Sequence, residues 1–272
     1  MNGPLVTVVT PCFNDGAYLR ETLDCLFKQK YPNIEIIVVD DGSSDPATVS
    51  ALEELQRDYD SVKFFRKENG GPSSARNYGI QRSSGKYILP LDADDLIADE
   101  YIAKCVQVLE KHPEVGIVYC KAEFFGEKSG TWDLPDFCVS RFAWDNVIFN
   151  AAMFRKSDWR AVGGYDDSLI HGSEDYDFWL SLVEKDLIPF RLPEVLFYYR
   201  IKPESRSKKF ANVDFEHKVE TYAKIFNNHR NFFDRHMKYF YRTKFALEQR
   251  VSLSKKSVFW DRNVVKSERG EE

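Results

Sequence analysis

The sequence predicts a doubly wound α/β domain with a mostly parallel central sheet, followed by a C-terminal helical extension. Three observations predict it. Short β-branched runs alternate with helical patterns, each run ends in a polar loop rich in Gly, Asn and Asp, and basic residues gather in the last quarter of the chain. Residues 5–10 and 34–39 are short runs rich in β-branched residues, which read as buried parallel strands. Between them Leu19, Leu23, Leu26 and Phe27 recur at helical spacing. Helices are expected at about 47–59 and 73–82, and strands at about 62–66 and 87–91. The resulting β-α-β-α-β-α-β order puts a ligand crevice at the C-terminal edge of the strands. From about 122 to 147 an aromatic, Gly- and Pro-rich stretch breaks the pattern. We therefore expect a first half over about 1–121, a second over about 122–210, and the extension over 211–272.

The chain has 272 residues, 43% of them hydrophobic, enough for a real core. No apolar run is long enough to span a bilayer and Met1-Asn2-Gly3-Pro4 lacks a basic leader, so neither a signal peptide nor a membrane span is expected. Five cysteines without CxxC spacing argue against a disulfide framework or a zinc site and for a reducing, cytoplasmic setting. Residues 1–199 carry 20 basic against 33 acidic side chains, and residues 200–272 carry 18 against 10. Aromatics interleave with cations in the basic tail, as in Phe232, Phe233, Arg235, Lys238, Tyr239, Phe240, Tyr241 and Arg242. That pattern suits a helix lying on an anionic membrane surface, at the inner face of the plasma membrane. It equally suits an extension packed on the main domain or on a second copy of the chain. No nucleic-acid partner is expected.

Chemistry-bearing residues collect where the crevice should be. Thr10-Pro11-Cys12-Phe13-Asn14-Asp15 ends the first strand, Asp40-Asp41-Gly42-Ser43-Ser44-Asp45 the second, and Asn69 to Asn77 leads from the third into a helix. The fourth strand runs into Asp92-Ala93-Asp94-Asp95. Like charges so close repel unless a cation sits among them, and carboxylate oxygens there suit Mg2+ or Mn2+. The same run also suits an acidic turn capping a helix that starts near Asp99. GxGxxG after the first strand and GxxxxGK[ST] anywhere are absent, which leaves the usual dinucleotide fold and the P-loop unsupported. Farther on, Ser173 is placed to cap a helix on which Asp175, Phe178, Trp179, Leu182 and Val183 share a face. A carboxylate heading an apolar stripe is costly unless it has a partner or a task, and the helix N-terminus favours its anionic form.

In order, Val8-Val9-Thr10-Pro11-Cys12-Phe13-Asn14, Val38-Val39-Asp40-Asp41-Gly42-Ser43-Ser44-Asp45, Gly71 to Gly79, Asp92-Ala93-Asp94-Asp95, Gly163-Gly164-Tyr165-Asp166 and Glu174-Asp175-Tyr176-Asp177 resemble the successive motifs of the inverting glycosyltransferases of family two. The resemblance covers roughly residues 5–207. It implies a GT-A fold, a nucleotide-sugar donor, Mn2+ or Mg2+, and transfer of one sugar to a glycan or lipid-linked acceptor hydroxyl in surface polysaccharide or glycoconjugate synthesis. By position, Asp40 would accept from a uracil or thymine imide, making the donor UDP-linked, with Thr10 and Pro11 lining the base pocket. Arg76 would approach the base or diphosphate, Asp92 the ribose and metal water, and Asp94 the metal, with Asp95 as its rival. Asp175 would be the general base, with Glu174 the alternative. Tyr199-Arg200 with Ser205-Arg206-Ser207 resembles the closing segment whose cation folds over the diphosphate. His171, just before Glu174-Asp175, is placed either to touch metal or acceptor or, as loop histidines more often do, to touch neither. Ser181 departs from the family, which often carries Arg there.

Two other readings belong to different classes. A sugar-phosphate nucleotidyltransferase would need a glycine- and lysine-rich first loop that is missing, and a non-catalytic sugar-nucleotide-binding subunit would not need Glu174 and Asp175.

Overall fold

The computed structural model describes residues 3–170, 172–203 and 215–253. Nine strands join one sheet: β1 (Val6–Cys12), β2 (Ile34–Asp40), β3 (Val62–Arg66), β4 (Tyr87–Pro90), β5 (Leu96–Ile97), β6 (Val115–Gly126), β7 (Gly130–Trp132), β8 (Met153–Arg155) and β9 (Ile188–Ile201). Their order is β3-β2-β1-β4-β8-β6-β9-β5, with β7 pairing β6. The four strands read from the first half are parallel to one another. Beyond them the sheet is mixed, because β8 runs antiparallel to both β4 and β6, and β5 antiparallel to β9, while β6 and β9 are parallel.

The helices are α1 (Gly16–Phe27), α2 (Pro46–Asp58), α3 (Gly71–Arg82), α4 (Tyr101–Lys111), α5 (Val139–Phe142), α6 (Lys156–Val162) and α7 (Glu174–Val183), with Phe215–Asn228 and Arg230–Leu253 following. Local chemistry explains their starts. Asp45 caps α2 by accepting from the Thr48 amide at 2.8 Å, and Pro46 fills the first helical position, where its missing N–H costs nothing. Val8, Val9, Ile37, Val38, Val39, Ile88 and Leu89 are fully buried, so the sheet centre is covered on both faces as its β-branched runs predict.

Two expectations are corrected. The pattern break near 122 is not a strand end: β6 continues to Gly126 because β9 pairs with it as far as Ile201. The helix expected near Asp99 begins at Tyr101, since Leu96 and Ile97 first form a strand against Tyr198 and Phe197. The chain divides into one unit of 1–137 with 146–229 and a second of 138–145 with 230–272. The boundary expected near 211 lies outside the described residues. In the second unit Phe142 meets Phe232 edge-on at 6.4 Å.

Gly79 on α3 lies so close to the sheet that a Cβ there would stand 2.5 Å from Val9 Cγ1 and 3.1 Å from Val39 Cγ2. Alanine would gain about 1 kcal/mol of helix propensity, against roughly 1–3 kcal/mol for overpacking rigid valines. Gly79→Ala is therefore expected to lower stability by about 1 kcal/mol, read as a lower urea midpoint at unchanged slope. A higher midpoint would mean that α3 does not rest on β1 and β2 in this way.

Candidate active site

The four strand-end loops converge as their positions at the C-terminal edge of β1, β2, β3 and β4 demand. The acidic loop after β4 is pinned from behind by α1, where the Thr22 hydroxyl donates to the carbonyls of Ala93 at 2.9 Å and Asp95 at 3.1 Å. Asp95 is 3% exposed and its carboxylate accepts the Arg200 amide at 3.0 Å; burial, then the nearby Asp94, pushes it well above the usual carboxylate range. Asp92 and Asp94 instead retain side-chain exposures of 34% and 16%, so these two, not Asp95, are open to a ligand. Burial raises Asp94 as well, although the Lys202 ammonium at 2.7 Å opposes the shift. Lys202 also pairs with Asp15.

Arg76 is the junction of the site. It is buried, and its guanidinium forks, Nη2 donating to Asp92 Oδ1 and Nη1 to Glu174 Oε1, each at 2.8 Å. Its Nε finds no partner, and its charge lies 5.7 Å from the centre of the Tyr165 ring. Burial alone would discourage the cation, but Asp92 and Glu174 hold its pKa above the ordinary value. The fork thereby joins the loop after β4 to the first turn of α7.

Asp175 sits beside that fork. Burial, and after it the adjacent Glu174 charge, pushes its carboxyl up to about 7, with Arg76 and the Tyr176 amide pulling the other way. One oxygen accepts the Tyr176 amide at 2.8 Å and the other the Asn146 side-chain amide at 3.2 Å. A carboxylate poised near neutrality takes and returns a proton readily. Ser173 occupies the N-cap position, but in a left-handed conformation (φ 61°) with no side-chain cap hydrogen bond, a correction to the expected capping. Phe178, Trp179 and Leu182 are buried as the stripe requires, with Val183 half-buried.

The remaining expected residues are placed unevenly. Thr10 is completely buried and its hydroxyl has no partner, while Pro11 keeps some exposure. Asp40 ends β2 with one oxygen on the Ser43 amide at 2.8 Å and the other 3.4 Å from Arg66, so any base contact is shared with that guanidinium. Arg200 is held by the Asp94 carbonyl at 2.8 Å and Glu21 at 2.5 Å, its guanidinium between the rings of Phe125 and Tyr18. That brace fixes it on the acidic loop. The Ser181 hydroxyl bonds the Asp177 carbonyl at 3.2 Å and brings no charge to the site. His171, Ser205, Arg206 and Ser207 lie outside the described residues.

Sequence reading missed Lys202, Asn146, Asn150 and His229. The Asn150 amide donates to Asp92 at 3.3 Å while its oxygen is buried without a partner. His229 donates to or accepts from Asp177 at 3.1 Å and Glu184 at 2.9 Å, anchoring α7 from behind. Asn77 organises the Gly163-Gly164-Tyr165 turn, its oxygen accepting the Trp159 indole and the Tyr165 amide, each at 3.0 Å. Gly164 has φ 85°, and a Cβ there would lie 2.7 Å from that same oxygen, so only glycine fits.

Among the described residues no three His, Cys, Asp or Glu side chains converge as a closed metal cage. Mg2+ or Mn2+ needs less, because it keeps water and takes phosphate oxygens beside one or two carboxylates. The exposed hard oxygens of Asp94 and Asp92, crowded by like charge, and the orphaned Asn150 oxygen fit such an ion.

The sequence profile described as Glycosyl transferase family 2 matches residues 7–167. The chain belongs to that family. A glycosyltransferase of Rickettsia typhi is 34% identical over 221 residues, covering 75% of this chain and 64% of the relative, and one of Rickettsia bellii is 41% identical over 221 residues, covering 76% and 31%. The chain spans 24% to 64% of the length of the first three curated relatives it matches. Among solved structures, S. aureus TarS 1-349 in complex with UDP-GlcNAc has a TM-score of 0.64 at 20% identity, covering 84% of this chain and 73% of that one. The mannosyltransferase PcManGT of Pyrobaculum calidifontis, in complex with GDP-Man and Mn2+, has a TM-score of 0.63 at 22% identity, covering 82% and 64%. These likenesses establish the GT-A fold, and the family places the chain among glycosyltransferase enzymes.

The raised Asp175 has a consequence for stability. Between about pH 4 and pH 7 the folded protein keeps a proton that the unfolded chain has released, so this group makes stability fall as pH rises through that window. Asp175→Asn removes the dependence. Relative to the parent, the variant should gain about 1–3 kcal/mol between pH 4 and pH 8 in denaturant titrations. A parallel pair of stability-against-pH curves would show that Asp175 is ionised normally.

Proposed function

We propose that the protein transfers a sugar, with inversion, from a nucleoside-diphosphate sugar to a hydroxyl of a glycan or lipid-linked acceptor. The observation that carries the proposal is the Arg76 fork, which holds a donor-side carboxylate, Asp92, and Glu174, the neighbour of Asp175, on one buried cation. Asp175 takes the proton of the acceptor hydroxyl as the acceptor oxygen attacks the anomeric carbon, and the bond to the diphosphate breaks on the opposite face. Glu174 is committed to Arg76, which leaves Asp175 as the base. Asn146 orients its carboxylate.

Asp94, with Asp92 beside it, is proposed to hold Mg2+ or Mn2+; bound there, the ion would neutralise charge growing on the departing diphosphate. Charge crowding supports it. Asp92 and Asp15 crowd Asp94 with like charge, and Asp94 and Asp92 crowd Asp95. An anionic diphosphate entering such a site needs an added cation. Asp40 and Pro11 are proposed to read the base of a UDP-linked donor. The first half of the domain would bind the donor and the second the acceptor.

The helix Arg230–Leu253 exposes Tyr239, Tyr241 and Phe245 along with Lys238 and Arg242. An anionic membrane surface is the contact we propose for it, and a second copy of the chain is the alternative. No helix among the described residues is long and apolar enough to cross a membrane.

Asp175→Asn should reduce sugar transfer by roughly 10²- to 10⁴-fold while leaving the thermal shift produced by UDP with Mn2+ intact. The parent should release nucleoside diphosphate, not inorganic diphosphate, which separates it from a nucleotidyltransferase, and UDP should compete better than GDP or ADP. Loss of both transfer and the UDP shift would make Asp175 a structural residue. Equal competition by the three nucleotides would refute the base assignment.

A further inference from the structure

Lys202 was not singled out by any motif, yet among the described residues it is the cation paired with the carboxylate proposed as metal ligand. It follows the last residue of β9 and pairs with Asp94 at 2.7 Å and with Asp15, the residue before α1. The ammonium is well shielded, with 12% side-chain exposure, and lies 5.3 Å from the centre of the Tyr18 ring. Burial alone would lower its pKa, but Asp94 and Asp15 hold it above the ordinary lysine range. It is therefore a fixed positive charge seated between two acids at the strand ends where a donor diphosphate would enter.

From this placement we infer that Lys202 occupies the seat of the divalent ion and then serves the donor: an ion arriving on Asp94 displaces the ammonium, which turns to the diphosphate. The inference rests on the proposed metal and donor reading of this site. Its physical basis is competition. One carboxylate oxygen cannot be saturated by an ammonium at 2.7 Å and also complete the inner shell of a hard dication. Without ligand, Lys202 relieves repulsion between Asp94 and Asp15; with the ion present that task passes to the ion, and the freed lysine finds a dianionic partner nearby. The N-terminus of α1, which Asp15 precedes, adds a partial positive charge on the same side. Arg200 is not available for this, because the Asp94 carbonyl, Glu21 and two rings hold it.

The two roles have opposite signs in one variant, which a purely structural role would not produce. Lys202→Met keeps the stem and removes the charge. At constant pH, Mn2+ binding without nucleotide, read from the electron paramagnetic resonance of free Mn2+, should tighten by about tenfold, the equivalent of a partly shielded ion pair. UDP binding at saturating Mn2+, read by calorimetry, should weaken by about tenfold. Lys202→Gln must show the same pair of shifts, so that the result does not hang on one variant. Weakening of both ligands, or unchanged Mn2+ affinity, overturns the inference while leaving Asp94 as the metal ligand. Absence of Mn2+ binding to the parent, with and without UDP, overturns the metal reading and the inference together.

Discussion

Two hydrogen bonds from one buried guanidinium hold the active site in register. Arg76 lies on α3, Asp92 in the loop after β4, and Glu174 on the first turn of α7, and no local sequence proximity links the three. A buried cation is tolerable only when it is paired, and each buried acid at α7 is tolerable only if something offsets its charge. The fork meets both requirements at once. Its cost is that neither partner can be lost without stranding the other, since breaking one side of a buried ion pair leaves an uncompensated charge.

That arrangement also explains why one acid of the Glu174-Asp175 pair is prepared for proton transfer. Glu174 takes the guanidinium, and burial, then the Glu174 charge, raises Asp175 to about 7. Two neighbouring carboxyls pushed apart by their surroundings make a natural division of labour. The third acid of the motif, Asp177, is turned to Asn228 and His229 and stabilises the helix instead.

Much of the fold was legible because its signals are contiguous. The β-branched runs of β1 and β2 read as covered strands, and the polar loops at their ends fall on one edge of a parallel sheet wherever the crossovers go. Asp92 and Asp94 could be named for the same reason, Asp175 from the apolar stripe it heads, and Arg76 from the motif that resembles the family. What was not legible depends on long-range pairing. Leu96 and Ile97 are a strand only because β9 returns beside them, and β6 outruns its own pattern for the same reason. Lys202 meets Asp94 across more than a hundred residues, and Asn146 and Asn150 sit in a stretch that reads as loop. A lone lysine or asparagine carries no pattern, so nothing short of the folded backbone places it. Asp95 shows the converse limit: the sequence cannot separate it from Asp94, whereas the amide of Arg200 turns it inward.

The dependence of the site on Arg76 is tested most directly by a double-mutant cycle on unfolding free energy with Arg76→Met and Glu174→Gln. Arg76→Met alone should cost about 3–5 kcal/mol, because it strands Glu174 beside Asp175 in a buried environment. With Glu174→Gln already in place, the same change should cost about 1–3 kcal/mol less. Additive costs for the two substitutions would mean that the guanidinium and the glutamate do not share one buried interaction, and that α3 and α7 are held together by packing alone.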